Sequence, residues 1–146
     1  MKSNFTFIVA VVGVLISAAK AQRASIGYPL DGMSVTTGSE ITVEIDREDT
    51  LTGSIEVAIV IGVVPCHTSE CLSADYGLGT VLYNGGYDPE FHPDAPFDKP
   101  PHQNFTVTIP PIISKGKVQL GVFHASLIGA GSAPFSETLN VTLDIV

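Results

Sequence analysis

No segment of this 146-residue chain sustains a helical repeat. What recurs instead is strict alternation of apolar and polar residues. In Glu40–Asp46, Ile41, Val43 and Ile45 alternate with acids and threonine. The same period places Phe105, Val107 and Ile109 on one face of 104–109, and Val118, Leu120 and Val122 on one face of 117–122. It also aligns Leu139, Val141, Leu143 and Ile145 in 138–146. Successive side chains of a strand point to opposite faces, so this period marks a sheet with one wet side. The run 55–64, IEVAIVIGVV, is apolar on both parities and rich in β-branched residues. It predicts a central strand with little solvent exposure. Shorter strands are expected at 25–28, 33–36 and 80–83. Turn-forming residues at 28–32, 37–39, 51–54 and 114–116 separate the runs. Some seven short strands with this punctuation predict an all-β fold, a single immunoglobulin-like antiparallel β-sandwich. The likeness is architectural, because the chain has no Trp and its two cysteines are too close in sequence to join two sheets.

The N-terminus has a different character. Lys2 precedes an apolar stretch from Phe7 to Ala19, and Ala19-Lys20-Ala21 follows. This is the three-part layout of a secretory signal peptide. The apolar core is shorter than the roughly 20 residues a membrane-spanning helix needs. Cleavage is expected after Ala21, dividing the chain into a signal peptide, 1–21, and a β-sandwich domain, 22–146. No later run is long enough to span a bilayer, so direct membrane insertion is not expected of that domain. Losing Lys2 and Lys20 with the signal takes the formal charge from −8 to −10. Nucleic-acid binding through phosphates needs clustered Lys and Arg, which this domain lacks.

Secretion bears on the stretch PCHTSEC at 65–71, which holds both cysteines. A secreted chain with two cysteines favours pairing, and four intervening residues let a small loop close after the 55–64 strand. A Cys66–Cys71 disulfide is expected, worth only about 2 kcal/mol for so short a loop. Metal binding would need further ligands that the sequence does not place nearby, and the spacing is not that of a CxxC redox motif. The sequons Asn104-Phe-Thr and Asn140-Val-Thr place their asparagines on the polar parity of predicted strands, where an N-glycan has room.

Residues 84–102, NGGYDPEFHPDAPFDKPPH, fit no period. Loops of this length in compact domains are usually functional or disordered, and aromatic residues argue against plain disorder. Two readings stand: the aromatics fold back over one end of the sandwich, or Tyr87, Phe91, His92 and Phe97 form a partner-binding loop. The acids of this loop match no EF-hand spacing. His67, His92, His102 and His124 lack the pattern of a zinc site. His124 continues the Val118-Leu120-Val122 face and is expected to be half-buried at a strand end. There is no Gly-x-Ser-x-Gly elbow. A carboxylate pair for glycoside hydrolysis is neither singled out nor excluded. By its residues alone the domain reads as a binding module rather than an enzyme.

Five motifs stand in order: LTGSIEVAIVIG at 51–62, GLGTVLY at 77–83, QNFTVTIP at 103–110, QLGV at 119–122 and PFSETLNVT at 134–142. Together with the paired cysteines and the signal segment they resemble the fungal necrosis-inducing secreted protein 1 family. The likeness runs from about Tyr28 to the C-terminus. The resemblance implies a secreted effector of plant-associated fungi that suppresses pattern-triggered immunity. It implies plant receptor-like kinases as partners, namely an immune co-receptor kinase and a receptor-like cytoplasmic kinase. It also implies inhibition of their activity, induction of host cell death and entry into the host plant cell cytoplasm. It brings no catalytic motif, metal or cofactor. A cell-wall glycan-binding module or small secreted hydrolase is the alternative.

Overall fold

The computed structural model describes residues 23–67 and 70–146. The expected signal peptide and its cleavage site at Ala21 lie outside the described residues. The described chain is built from strands and one short 3-10 helix, Ala74–Tyr76. The strands are β1 (Ala24–Tyr28), β2 (Met33–Val35), β3 (Glu40–Arg47), β4 (Ser54–Pro65), β5 (Thr80–Gly85), β6 (His102–Thr108), β7 (Gly116–Ile128) and β8 (Ala133–Ile145). They form a three-stranded sheet in the order β1-β3-β6 and a five-stranded sheet in the order β2-β8-β7-β4-β5. All pairings are antiparallel except that of β2 with β8, which is parallel. The expectation of a wholly antiparallel arrangement is corrected there. After leaving β1 the chain crosses to the other sheet, and β2 joins it beside the last strand, running the same way.

The alternating residues do what their period requires. Val43 and Ile45 from β3 and Phe105 and Val107 from β6 pack in one core with Ile59, Ile61 and Val63 from β4. Val118, Leu120 and Val122 from β7, with Leu143 and Ile145 from β8, complete it. Burial of this apolar surface is the main driving force for folding, at about 25 cal/mol per Å². β4 is central, as expected, between β7 and β5. Its first half is wetter than its composition suggests, because Ile55 and Val57 are exposed and full burial begins only at Ile59. A register shift between Glu56 and Ala58 changes which parity faces inward at that point.

Two strands are longer than their alternation implies. β7 continues to Ile128 and β8 begins at Ala133, joined by a tight connection in which Gly129 has φ of 69°. The apolar pattern fades there because inward positions become polar: His124, Ser126 and Glu137, the cross-strand partner of His124.

The link from β4 to β5 is folded onto the outer face of the larger sheet. The Cys66–Cys71 disulfide is formed, with Cα atoms 4.7 Å apart, and it turns the chain back as β4 ends. Gly62 and Gly121 are cross-strand partners, and together they leave a trough in the outer face. Ala74 and Leu78 lie in it: a β-carbon on Gly62 would sit 2.4 Å from the Leu78 carbonyl oxygen, and one on Gly121 3.1 Å from the Ala74 Cβ. The Thr138 hydroxyl donates to Asp75 and secures the segment to β8.

Two outcomes follow from this cover. Gly62→Val should destabilise the domain by about 1–3 kcal/mol, the usual cost of overpacking, read as a lower urea midpoint. Cys66→Ser with Cys71→Ser should cost about 2 kcal/mol and leave the far-ultraviolet circular dichroism of the folded domain unchanged.

Candidate functional site

Arg47, Glu56, His124 and Glu137 meet between the two sheets. Each comes from a different strand: Arg47 from the end of β3, Glu56 from near the start of β4, and His124 and Glu137 from within β7 and β8. His124 is fully buried, not half-buried at a strand end. Its Nε2 lies 2.5 Å from Glu56 Oε2 and its Nδ1 lies 3.1 Å from Glu137 Oε1. Glu56 Oε1 also accepts from Arg47 Nε at 3.0 Å and from the Ser54 hydroxyl at 2.6 Å. Glu137 Oε1 accepts from the Ala24 backbone N–H at 2.7 Å. Ionised carboxylates can only accept, so two of them flanking the ring favour donation from both nitrogens and the imidazolium form of His124. Two cations and two anions then make the buried group neutral.

The ring is held on two further sides, by Tyr87 edge-on at 5.4 Å and by Phe135 at 6.5 Å between centroids. Burial opposes charge on His124, but the hydrogen bonds to Glu137 and Glu56 outweigh it and raise its pKa. Burial likewise pushes Glu56 up, yet the hydrogen bonds from His124, Ser54 and Arg47 hold it down to about 2. Burial, with the Glu56 charge adding, pushes the Tyr87 hydroxyl up. The two carboxylates lie on opposite edges of the imidazole and so do not converge on one point. Among the described residues no group of three or more His, Cys, Asp and Glu is arranged to hold a metal ion. A groove of about 490 Å³ opens beside Arg47, Ser54, Glu56 and Tyr87. The Arg47 nitrogens facing it are already bonded to Glu56, the Glu48 carbonyl and Ser54.

The 84–102 loop divides into anchored and presented parts. Tyr87 is core: its hydroxyl donates to the Ile45 carbonyl and its ring packs near Phe105. Tyr87 thus follows the fold-back reading, and of the partner-binding set Tyr87, Phe91, His92 and Phe97 the last three are exposed. Glu90 and His102 pair as an isolated antiparallel bridge. The His92 ring packs against the His102 ring at a tilt of 44°, centroids 4.4 Å apart, with Nε2 3.3 Å from the His102 carbonyl oxygen. Lys99 Nζ donates to Glu44 Oε1 at 2.6 Å and to Asp46 Oδ2 at 2.8 Å, tying the loop to the outer face of β3. Gly27 on β1 leaves room for this clamp, since a β-carbon there would lie 2.3 Å from Glu44 Oε1.

The remaining predicted positions are placed as follows. Asn104 on β6 and Asn140 on β8 are both exposed. His67 is exposed beside the disulfide. The buried quartet was not found from sequence. Its one legible trace is polar residues at 124, 126 and 137, where the alternation calls for apolar ones.

These features define a small all-β domain whose interior charges are spent on one another and whose aromatic and acidic groups are presented by an anchored loop. The sequence matches the Nis1 (necrosis-inducing secreted protein 1) family over residues 19–144, and the chain belongs to that family. Membership makes it a necrosis-inducing secreted effector in class. No curated protein matches the chain.

The quartet predicts a window of maximal stability. His124 has a raised folded pKa, so its contribution is complete below its unfolded value of about 6.5 and is lost as pH rises through the folded value. Glu56 is lowered from 4.5 to about 2, so its contribution is complete above 4.5 and is lost as the pH falls toward 2. The melting temperature should therefore peak between about pH 4.5 and 6.5 and decline on both sides. His124→Gln should cost about 3–5 kcal/mol, because it removes the cation shared by two largely buried carboxylates, and should flatten the alkaline decline. Thermal melts from pH 2 to 10 check both statements.

Proposed function

We propose that this protein is a fungal effector that binds plant receptor-like kinases, lowers their activity and so suppresses pattern-triggered immunity, inducing cell death in some hosts. The observation that carries this reading is the family match, which spans 19–144. The partners inferred are an immune co-receptor kinase and a receptor-like cytoplasmic kinase, the second reached after entry into the host cytoplasm. A binding rather than catalytic role fits a domain whose buried titratable groups hold one another. An acidic surface suits contact with basic patches on a kinase.

We further infer that the two-sheet arrangement is an immunoglobulin-like sandwich. Its strand order supports this: β1-β3-β6 opposes β2-β8-β7-β4-β5, with the early strand β2 beside the last strand in parallel. The glycan-binding alternative calls for exposed aromatic rings in a plane, and Tyr87, one candidate for such a platform, is buried.

The test is retention of a panel of plant receptor-like kinase cytoplasmic domains on the immobilised secreted protein, with autophosphorylation measured alongside. Binding at micromolar protein with reduced phosphorylation is expected, and no retention across the panel overturns the proposal. Asn104 and Asn140 should both carry N-glycans. Enzymatic deglycosylation of the secreted protein should then remove two glycan masses, and Asn104→Gln should leave one.

A further inference from the structure

We propose that residues 90–98 are a braced docking loop that inserts Phe91 and Phe97 into an apolar pocket of a partner protein, with Lys and Arg around the pocket rim. The inference rests on the reading of the protein as an effector that binds host proteins, and it names the surface and the chemistry of its contact.

Three observations carry it. The first is that apolar side chains are held away from the core: Phe97 is fully exposed and Phe91 is 65% exposed. The Phe pair is flanked by prolines at 89, 93 and 96, which restrict the backbone before any partner arrives.

The second is the bracing itself. The Glu90–His102 bridge closes the base, and the Asp88 N–H donates to Gln103 Oε1 at 2.7 Å. Turns are closed by Ala95 N–H to the His92 carbonyl and by Lys99 N–H to the Pro96 carbonyl. The Lys99 ammonium binds Glu44 and Asp46 on β3. A loop ordered in advance loses less freedom on binding, and rigid aromatic anchors of this kind dominate interface energetics.

The third is sign. Asp88, Glu90, Asp94 and Asp98 are all exposed, and no Lys or Arg lies between 88 and 98. The nearest base, Lys99, is turned inward onto β3. The partner surface must therefore be basic around an apolar pocket. A second copy of this strongly acidic domain is repelled. An anionic membrane surface is repelled as well.

The experiment has two arms, both on the full secreted protein. In the first, binding to the kinase domains retained by the wild-type protein is measured for Phe91→Ser/Phe97→Ser. Both side chains are exposed, so the melting temperature should hold while affinity falls at least about tenfold. Unchanged affinity overturns the docking loop and leaves the kinase reading intact. In the second arm, Phe97 is replaced by the photo-crosslinking benzoylphenylalanine and irradiated in plant tissue. An adduct whose crosslinked peptide lines a pocket carrying Lys or Arg, and which Phe91→Ser abolishes, supports the loop. This holds even if no kinase is retained in the first arm, in which case the kinase reading alone fails. No protein adduct, or adducts only with polysaccharide or lipid, overturns the loop.

Discussion

The hydrogen-bonded pair of carboxylates around His124 is the constraint on which the rest of the fold depends. Its members come from both sheets: Arg47 from the smaller sheet reaches Glu56 of the larger, and Glu137 of the larger takes the Ala24 N–H of the smaller. Ala24 and Arg47 are themselves cross-strand partners, so the two bridges leave the smaller sheet at one point. Apolar packing is non-directional and would tolerate sliding of one sheet over the other. A buried quartet is not tolerant, because any slip leaves a charge unpaired at low dielectric. The core supplies stability, and the quartet selects one relative placement of the sheets.

Long connections are then laid over the outsides of the two sheets. The segment that follows the disulfide, through Ala74 and Leu78, fills the Gly62–Gly121 trough, and the 84–102 loop is clamped to Glu44 and Asp46 across Gly27. Both solutions use the same device: glycine on a strand where another part of the chain must come close. The difference lies in what is left outside. The first segment is pressed into the sheet. The second is held at its base and raises Phe91 and Phe97 into solvent. The contact surface proposed for that loop rests on this difference, not on composition.

Strand positions in β1, β3, β5 and β6 were legible because their inward positions are apolar and their turns carry Gly, Pro and Ser. The exposure of Asn104 and Asn140 was legible for the same reason, since parity alone decides which face a residue takes. The full lengths of β7 and β8 were not legible, because His124, Ser126 and Glu137 put polar groups on the inward face and erase the period. Whether Tyr87 folds back or is presented was not decided by the sequence, because it sits among acids and prolines. Its burial depends on Ile45 and Phe105, 42 and 18 positions away.

The sequence by itself determined the all-β class, the local Cys66–Cys71 pairing, the orientation of the sequons and, through its ordered motifs, the family. Each of these depends on neighbours close in the chain or on a pattern of fixed period. Only the tertiary structure decided that four distant charges neutralise one another and that Tyr87 turns inward while Phe91 and Phe97 do not. It alone decided that Lys99 binds β3. These outcomes depend on which strands become neighbours, and no local period encodes that.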